Sequence, residues 1–221
     1  ILAGALWRGA HLGQVRLDVR ANACRGTRAI SVIGGRVAVA FRDRDRPLRR
    51  RAAYLLPKHR ILIVCEGKVT EPEYFRRYQH VVRNRLVHVE TVGPGGAPIS
   101  VVELAIEIRD AAACDAKAQR DENLVFDETW CVFDVDDHPR LDDAVKLASE
   151  ESIECAISNP SFELWALLHY QDQPTSLHRD EARKKLKTWM PNYDKSLAFD
   201  KMHRGYEEAV RRASELHRRG T

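Results

Sequence analysis

The sequence predicts an α/β protein: a central, mostly parallel sheet of about four strands with helices on both faces, followed by a helical C-terminal extension. Three observations carry this. Short β-rich apolar runs recur at ILIVC (61–65), VHVETV (87–92), TWCVFDV (129–135) and IECAIS (153–158). Most are apolar on successive residues, as strands buried on both faces are. Between them lie helix-like stretches that open on helix-start residues, and this alternation argues for a parallel sheet between helical layers.

Residues 1–41 carry no pattern from which an element can be read. The methionines of the chain are Met190 and Met202. The segment therefore reads as upstream sequence or a shifted start, with initiation near Val37 or Val39. Residues 42–60 hold eight Lys/Arg against two Asp, with Pro47 and Pro57 opposing a continuous helix, and read as an extended basic lead-in.

The α/β domain is expected over 61–172. After the first strand, EGKV forms a turn, and Thr70 with Glu73 makes a capping box that opens a helix to about Arg83. The second strand is closed by GPGGAP, which lacks a dinucleotide fingerprint and reads as a flexible loop, with a substrate flap as the functional alternative. Ser100 and Glu103 form a second box, opening a helix from Val101 to about Gln119. The third strand leads to the helix LDDAVKLASE (141–150). After the fourth strand, Asn159 caps a helix with Pro160 at its first position. The extension, 173–221, reads as RDEARKKLKTWM, a linker through Tyr193 and Lys195, and HRGYEEAVRRASELHRR. It stops while still charged and helical, which suggests that a natural C-terminus lies further on.

Composition narrows the function classes. No stretch approaches the ~18 consecutive apolar residues of a membrane span, and ILAGALWRGAHLG is too polar for a secretory leader. Five cysteines without a CxxC pair, three of them in apolar strand-like runs, read as reduced, buried thiols of a cytoplasmic protein. The net charge of +4 conceals an asymmetry: residues 1–60 hold fourteen Lys/Arg and three Asp, so the remainder is acidic. A basic arm suits a polyanion, and an acidic body suits a cation.

In open α/β sheets, ligands bind at the carboxyl ends of the strands. The first strand ends in Glu66, and the third runs into Asp134-Val135-Asp136-Asp137-His138. Strand alternation sends Asp134 and Asp136 to the same side. With these strands as neighbours, Glu66 faces them across ~5 Å. Carboxylates crowded beside an apolar wall call for a counter-charge, and oxygen-only donors select Mg²⁺ or Mn²⁺ over zinc. Glu163, one turn into the helix after the fourth strand, is a further candidate ligand. Asp137, Asp142 and Asp143 read as an acidic helix lead, and His138 as a surface residue before Pro139.

The blocks ILIVCEGKVTEPEYF, CVFDVDDH and AISNPSFELWALLHY, in this order and spacing, resemble the RloB-like family, a Toprim-related group associated with restriction-modification loci and phage defence. The resemblance covers about 42–200. It implies a Toprim-like fold, with Glu66 as general acid/base and Asp134 and Asp136 as metal ligands. It also implies a nuclease-like role.

Nucleic-acid contacts are expected from Arg49, Arg50 and Arg51 in the lead-in, from Lys68 in the first turn, and from Lys184, Lys187 and Lys195. Trp189 and Tyr193 interleave with the last three in a manner suited to base stacking. GKVT is not a P-loop ending, because Leu62 stands where its first Gly belongs. The expected function is a Mg²⁺-dependent nuclease acting on DNA or RNA phosphodiesters, working in the cytoplasm with partner proteins of a defence locus. The alternative is an effector that binds nucleic acid or a nucleotide without cutting.

Overall fold

The first apolar run forms strand β1 (His59–Cys65), and every other predicted strand follows it within a residue or two. The structure, a computed structural model, describes residues 58–82, 87–135 and 140–220. Arg49, Arg50, Arg51, Asp136, Asp137 and His138 lie outside the described residues, as do the expectations for 1–41 and for most of the lead-in.

Beyond β1 come α1 (Thr70–Val82), β2 (Val87–Val92), α2 (Pro98–Gln119), β3 (Glu128–Asp134), α3 (Leu141–Glu150), β4 (Glu154–Ser158) and α4 (Phe162–Leu168). The C-terminal part adds α5 (Arg179–Trp189), α6 (Phe199–Met202) and α7 (Tyr206–Gly220). The short α6 falls where the sequence predicts a linker. The four strands are ordered β2-β1-β3-β4 and every pairing is parallel. The expected α/β architecture is therefore present, with β1 and β3 adjacent at the centre.

Alternation along the strands builds two cores. Ile61, Ile63 and Cys65 share one face of the sheet with Trp130, Val132 and Ala156. Leu62 and Val64 share the other with Cys131 and Phe133. The second face is covered by Val101, Val102 and Ala105 of α2 and by Ala144 and Ala148 of α3. The first is covered by α1 and α4, and also by Leu186, Phe199, Met202 and Ala209 of the C-terminal helices. The extension is thus part of the layer that buries the sheet. Each fully buried Leu, Val or Phe contributes about 1.5–3 kcal/mol of transfer free energy.

Three helix starts differ from expectation. The Thr70 hydroxyl donates to the Lys195 carbonyl at 2.8 Å, and Glu73 turns to Arg77 and Ser196. The first capping box therefore does not form, because tertiary partners take both side chains. Helix α2 starts at Pro98, with Ala97 as its cap residue and no side-chain cap. The preset φ of proline suits the first helical position, so the helix begins ahead of Ser100. Helix α4 is preceded by Ser161 rather than capped by Asn159. Its first turn is placed by burial of Phe162 and Trp165, whose rings meet Tyr74 edge-on.

Candidate active site

At the carboxyl edge of the sheet, β1 runs one residue past its last pairing. The Glu66 N–H donates to Val132 O at 2.8 Å, which carries Glu66 level with the end of β3. Its carboxylate then accepts the backbone N–H of Asp134 at 3.2 Å. Two residues 68 positions apart are joined by a side chain and a main chain.

Asp134 closes β3 on the same face as Trp130 and Val132, because residues two apart on a strand share a side. It is 7% exposed, and its register partner on β4 is Ser158. Glu71, in the first turn of α1, is 8% exposed. Glu163 enters from the first turn of α4 and accepts the Tyr193 hydroxyl at 3.1 Å. From α5, the Arg179 guanidinium reaches within 3.7 Å of Asp134 Oδ2.

Gly67 makes this packing feasible. A Cβ there would lie 2.0 Å from Glu71 Oε2, so the missing side chain is the space that the Glu71 carboxylate fills. A Cβ at Gly93 would likewise lie 2.5 Å from the Gly67 carbonyl oxygen and from Pro72.

The electrostatics follow from burial and crowding. Burial first, then the charges of Glu71, Glu66 and Glu163, push the Asp134 carboxyl up to about 8, while Arg179 draws it down. Burial likewise raises Glu71, with Glu163 and Glu66 adding to the effect; its own backbone hydrogen bond and Arg179 oppose it. The charges of Glu66 and Glu163 thus bear on both Asp134 and Glu71 at one sheet edge, with the Arg179 guanidinium opposing them.

This donor set suits a hard divalent cation: it is all oxygen, and the Ser158 hydroxyl beside Asp134 is buried without a hydrogen-bond partner among the described residues. The shell is incomplete, however. Among the described residues, no three His, Cys, Asp or Glu side chains close into a group able to hold a metal ion. Asp136, the expected companion of Asp134, lies outside those residues.

A sequence model described as RloB-like protein matches residues 61–220. The chain belongs to the RloB-like family. No curated protein and no solved structure matches it. The RloB-like region takes in α5 to α7, so Arg179 and Tyr193, which meet the acidic edge from the extension, lie inside the family's own span.

Of the sequence candidates in this RloB-like chain, Glu66, Asp134 and Glu163 converge. Lys68 is exposed in the β1–α1 turn, with its methylenes against Gly95 of the GPGGAP loop. Lys184, Lys187 and Lys195 are all exposed. Tyr193 is not a stacking platform as expected; it is 3% exposed and committed to Glu163. Trp189 is 49% exposed and stacks on Tyr170 at 5.4 Å. The sequence reading missed Arg179 and the role of Tyr193. Both come from a distant segment, and no local spacing links them to the edge. Among the described residues, no helix is long and apolar enough to cross a membrane.

Proposed function

We propose that the chain is a divalent-cation-dependent phosphodiesterase that cuts nucleic acid. The observation that carries this reading is the meeting of Glu66 and Asp134 across the β1–β3 pairing, within a cluster of carboxyl groups that raises the Asp134 carboxyl against the pull of Arg179. Asp134, Asp136 and Glu163 would hold Mg²⁺ or Mn²⁺. Such an ion polarises a phosphate and lowers the pKa of an attacking water.

Glu66 is fixed in position by the Asp134 N–H and is the residue to move a proton at the reacting phosphate. Lys68 and the lead-in arginines are the sequence candidates for holding the polyanion. The setting implied by the family resemblance is a cytoplasmic defence against phage, with partner proteins of the same locus.

A second reading is a binder of nucleic acid or nucleotide that does not cut. It is favoured by Arg179, which already supplies a positive charge to Asp134.

The test uses labelled DNA and RNA, single- and double-stranded, with Mg²⁺ or Mn²⁺. Wild-type protein should cut, and Asp134→Ala and Glu66→Ala should each slow cutting by roughly 10²–10⁴-fold. Equal cutting by the variants would overturn the proposal. Cation binding without cutting of any substrate would favour the second reading.

A further inference from the structure

Helix α5 carries five basic and two acidic residues, RDEARKKLKTW. Its first residue, Arg179, stands against Asp134 at the acidic edge. Arg183 and Lys187 follow at successive four-residue steps, each advancing about 6 Å and turning about 40° around the helix. They form one continuous basic stripe leading away from the carboxylates. The buried side of the helix, Ala182 and Leu186, faces the core.

Arg183 and Lys187 reach into solvent from this stripe. Arg179 is half exposed, and its Asp134 contact is a long one at 3.7 Å. Arg183 is 42% exposed and reaches Asp194 at 4.0 Å, while Asp194 itself is almost fully in solvent. The Arg183 Nε is buried with no hydrogen-bond partner among the described residues. Lys187 is exposed. A stacked single strand places one phosphate about every 3.4 Å. Each step of the stripe therefore spans roughly two phosphates.

We propose that Arg179, Arg183 and Lys187 are a phosphate track that seats one nucleic-acid strand along α5 and feeds it to the acidic edge. This rests on the nucleic-acid reading above and adds the path of the strand. Arg179 leaves the Asp134 carboxyl for the phosphate nearest the site. Arg183 and Lys187 hold phosphates further along. The track reads backbone only, so it is indifferent to base sequence.

The experiment measures binding of a labelled single-stranded oligonucleotide in EDTA, where cutting is suppressed, over a range of KCl concentrations. Arg179→Ala, Arg183→Gln and Lys187→Ala should each weaken binding on the order of tenfold and flatten the slope of log affinity against log salt by about 0.7. Arg179→Lys should keep the slope. Lys146→Ala, a charge loss on the solvent side of α3, should change neither quantity. Thermal melts of each variant establish that the fold is intact. Wild-type slopes in all three track variants would overturn the track, while Asp134-dependent cutting would leave the proposed function standing. Failure of the wild type to bind the strand would also overturn the track, and the cutting assay would still decide the function.

Discussion

The Glu66 carboxylate accepts the Asp134 backbone N–H at 3.2 Å, tying the ends of two neighbouring parallel strands at the edge where α/β sheets bind ligands. The bond holds a negative group beside a carboxyl already disfavoured as an anion by burial. An arrangement that is unfavourable by itself and is nonetheless built into buried strand ends supports the site proposed above.

Asp134 sets a pH signature on stability. Its carboxyl titrates at about 8 in the folded protein, against about 3.9 in an unfolded chain. The folded state therefore holds the proton more tightly between those values, and stability falls as pH rises from about 4 to 8. Asp134→Asn removes the charge at nearly constant shape. The variant should be more stable than wild type by a few kcal/mol at pH 8.5 in EDTA, and indistinguishable near pH 4. Denaturant melts across this range check it, and a parallel pH profile in the two proteins would refute the assignment.

A cation at this edge competes with the same proton. Stabilisation by Mg²⁺ or Mn²⁺ should therefore grow as pH rises through 8, since ligand binding to the folded state raises stability in proportion to its apparent affinity. The rise in melting temperature on adding Mn²⁺ should be several-fold larger at pH 8.5 than at pH 6, and should vanish in Asp134→Ala. A shift of equal size at both pH values, or one that survives the substitution, would place the cation elsewhere.

Gly67 offers a test of packing at the site. A methyl there meets the Glu71 carboxylate, which is itself buried. Gly67→Ala should cost roughly 1–3 kcal/mol by overpacking. Glu71→Ala clears the space, so Gly67→Ala should cost much less in that background. A double-mutant cycle should give a coupling of about 1 kcal/mol or more. Additive effects would mean that the two residues do not share this space.

Much of the fold was legible because strand burial writes itself into local sequence: ILIVC and most of its counterparts are apolar on successive residues, and the chain between them turns helical. Glu66 and Asp134 were legible for the same reason, since each directly follows or ends such a run. The helix starts were less so. Thr70 and Glu73 form a capping pattern in sequence, but Lys195 and Ser196, more than a hundred residues away, take those side chains. Tyr193 looks like an aromatic among lysines and is instead a buried donor to Glu163. These partners arrive through tertiary packing of the extension onto the sheet, for which no spacing rule exists.

His169 sets a pH dependence of the opposite sign. It ends α4 5% exposed, its Nδ1 2.9 Å from the Trp165 carbonyl, while its Nε2 is buried without a partner among the described residues. Burial chiefly pulls it down to about 4, although the Trp165 carbonyl favours the protonated ring. The unfolded chain takes up that proton near pH 6.5, so the residue's contribution to stability is complete above 6.5 and is lost as pH falls towards 4. The loss is about 3 kcal/mol at pH 4. The ring packs among Tyr74, Trp165 and Tyr206, so Phe in its place keeps an aromatic in the cluster. His169→Phe should cost about 1 kcal/mol at pH 7.5 through the lost hydrogen bond. It should also remove the part of the acid-induced loss between pH 6.5 and 4 that this ring causes. Urea melts at pH 7.5, 6 and 4.5 measure both effects, and a variant that loses stability in acid as steeply as wild type would show that the titrating group lies elsewhere.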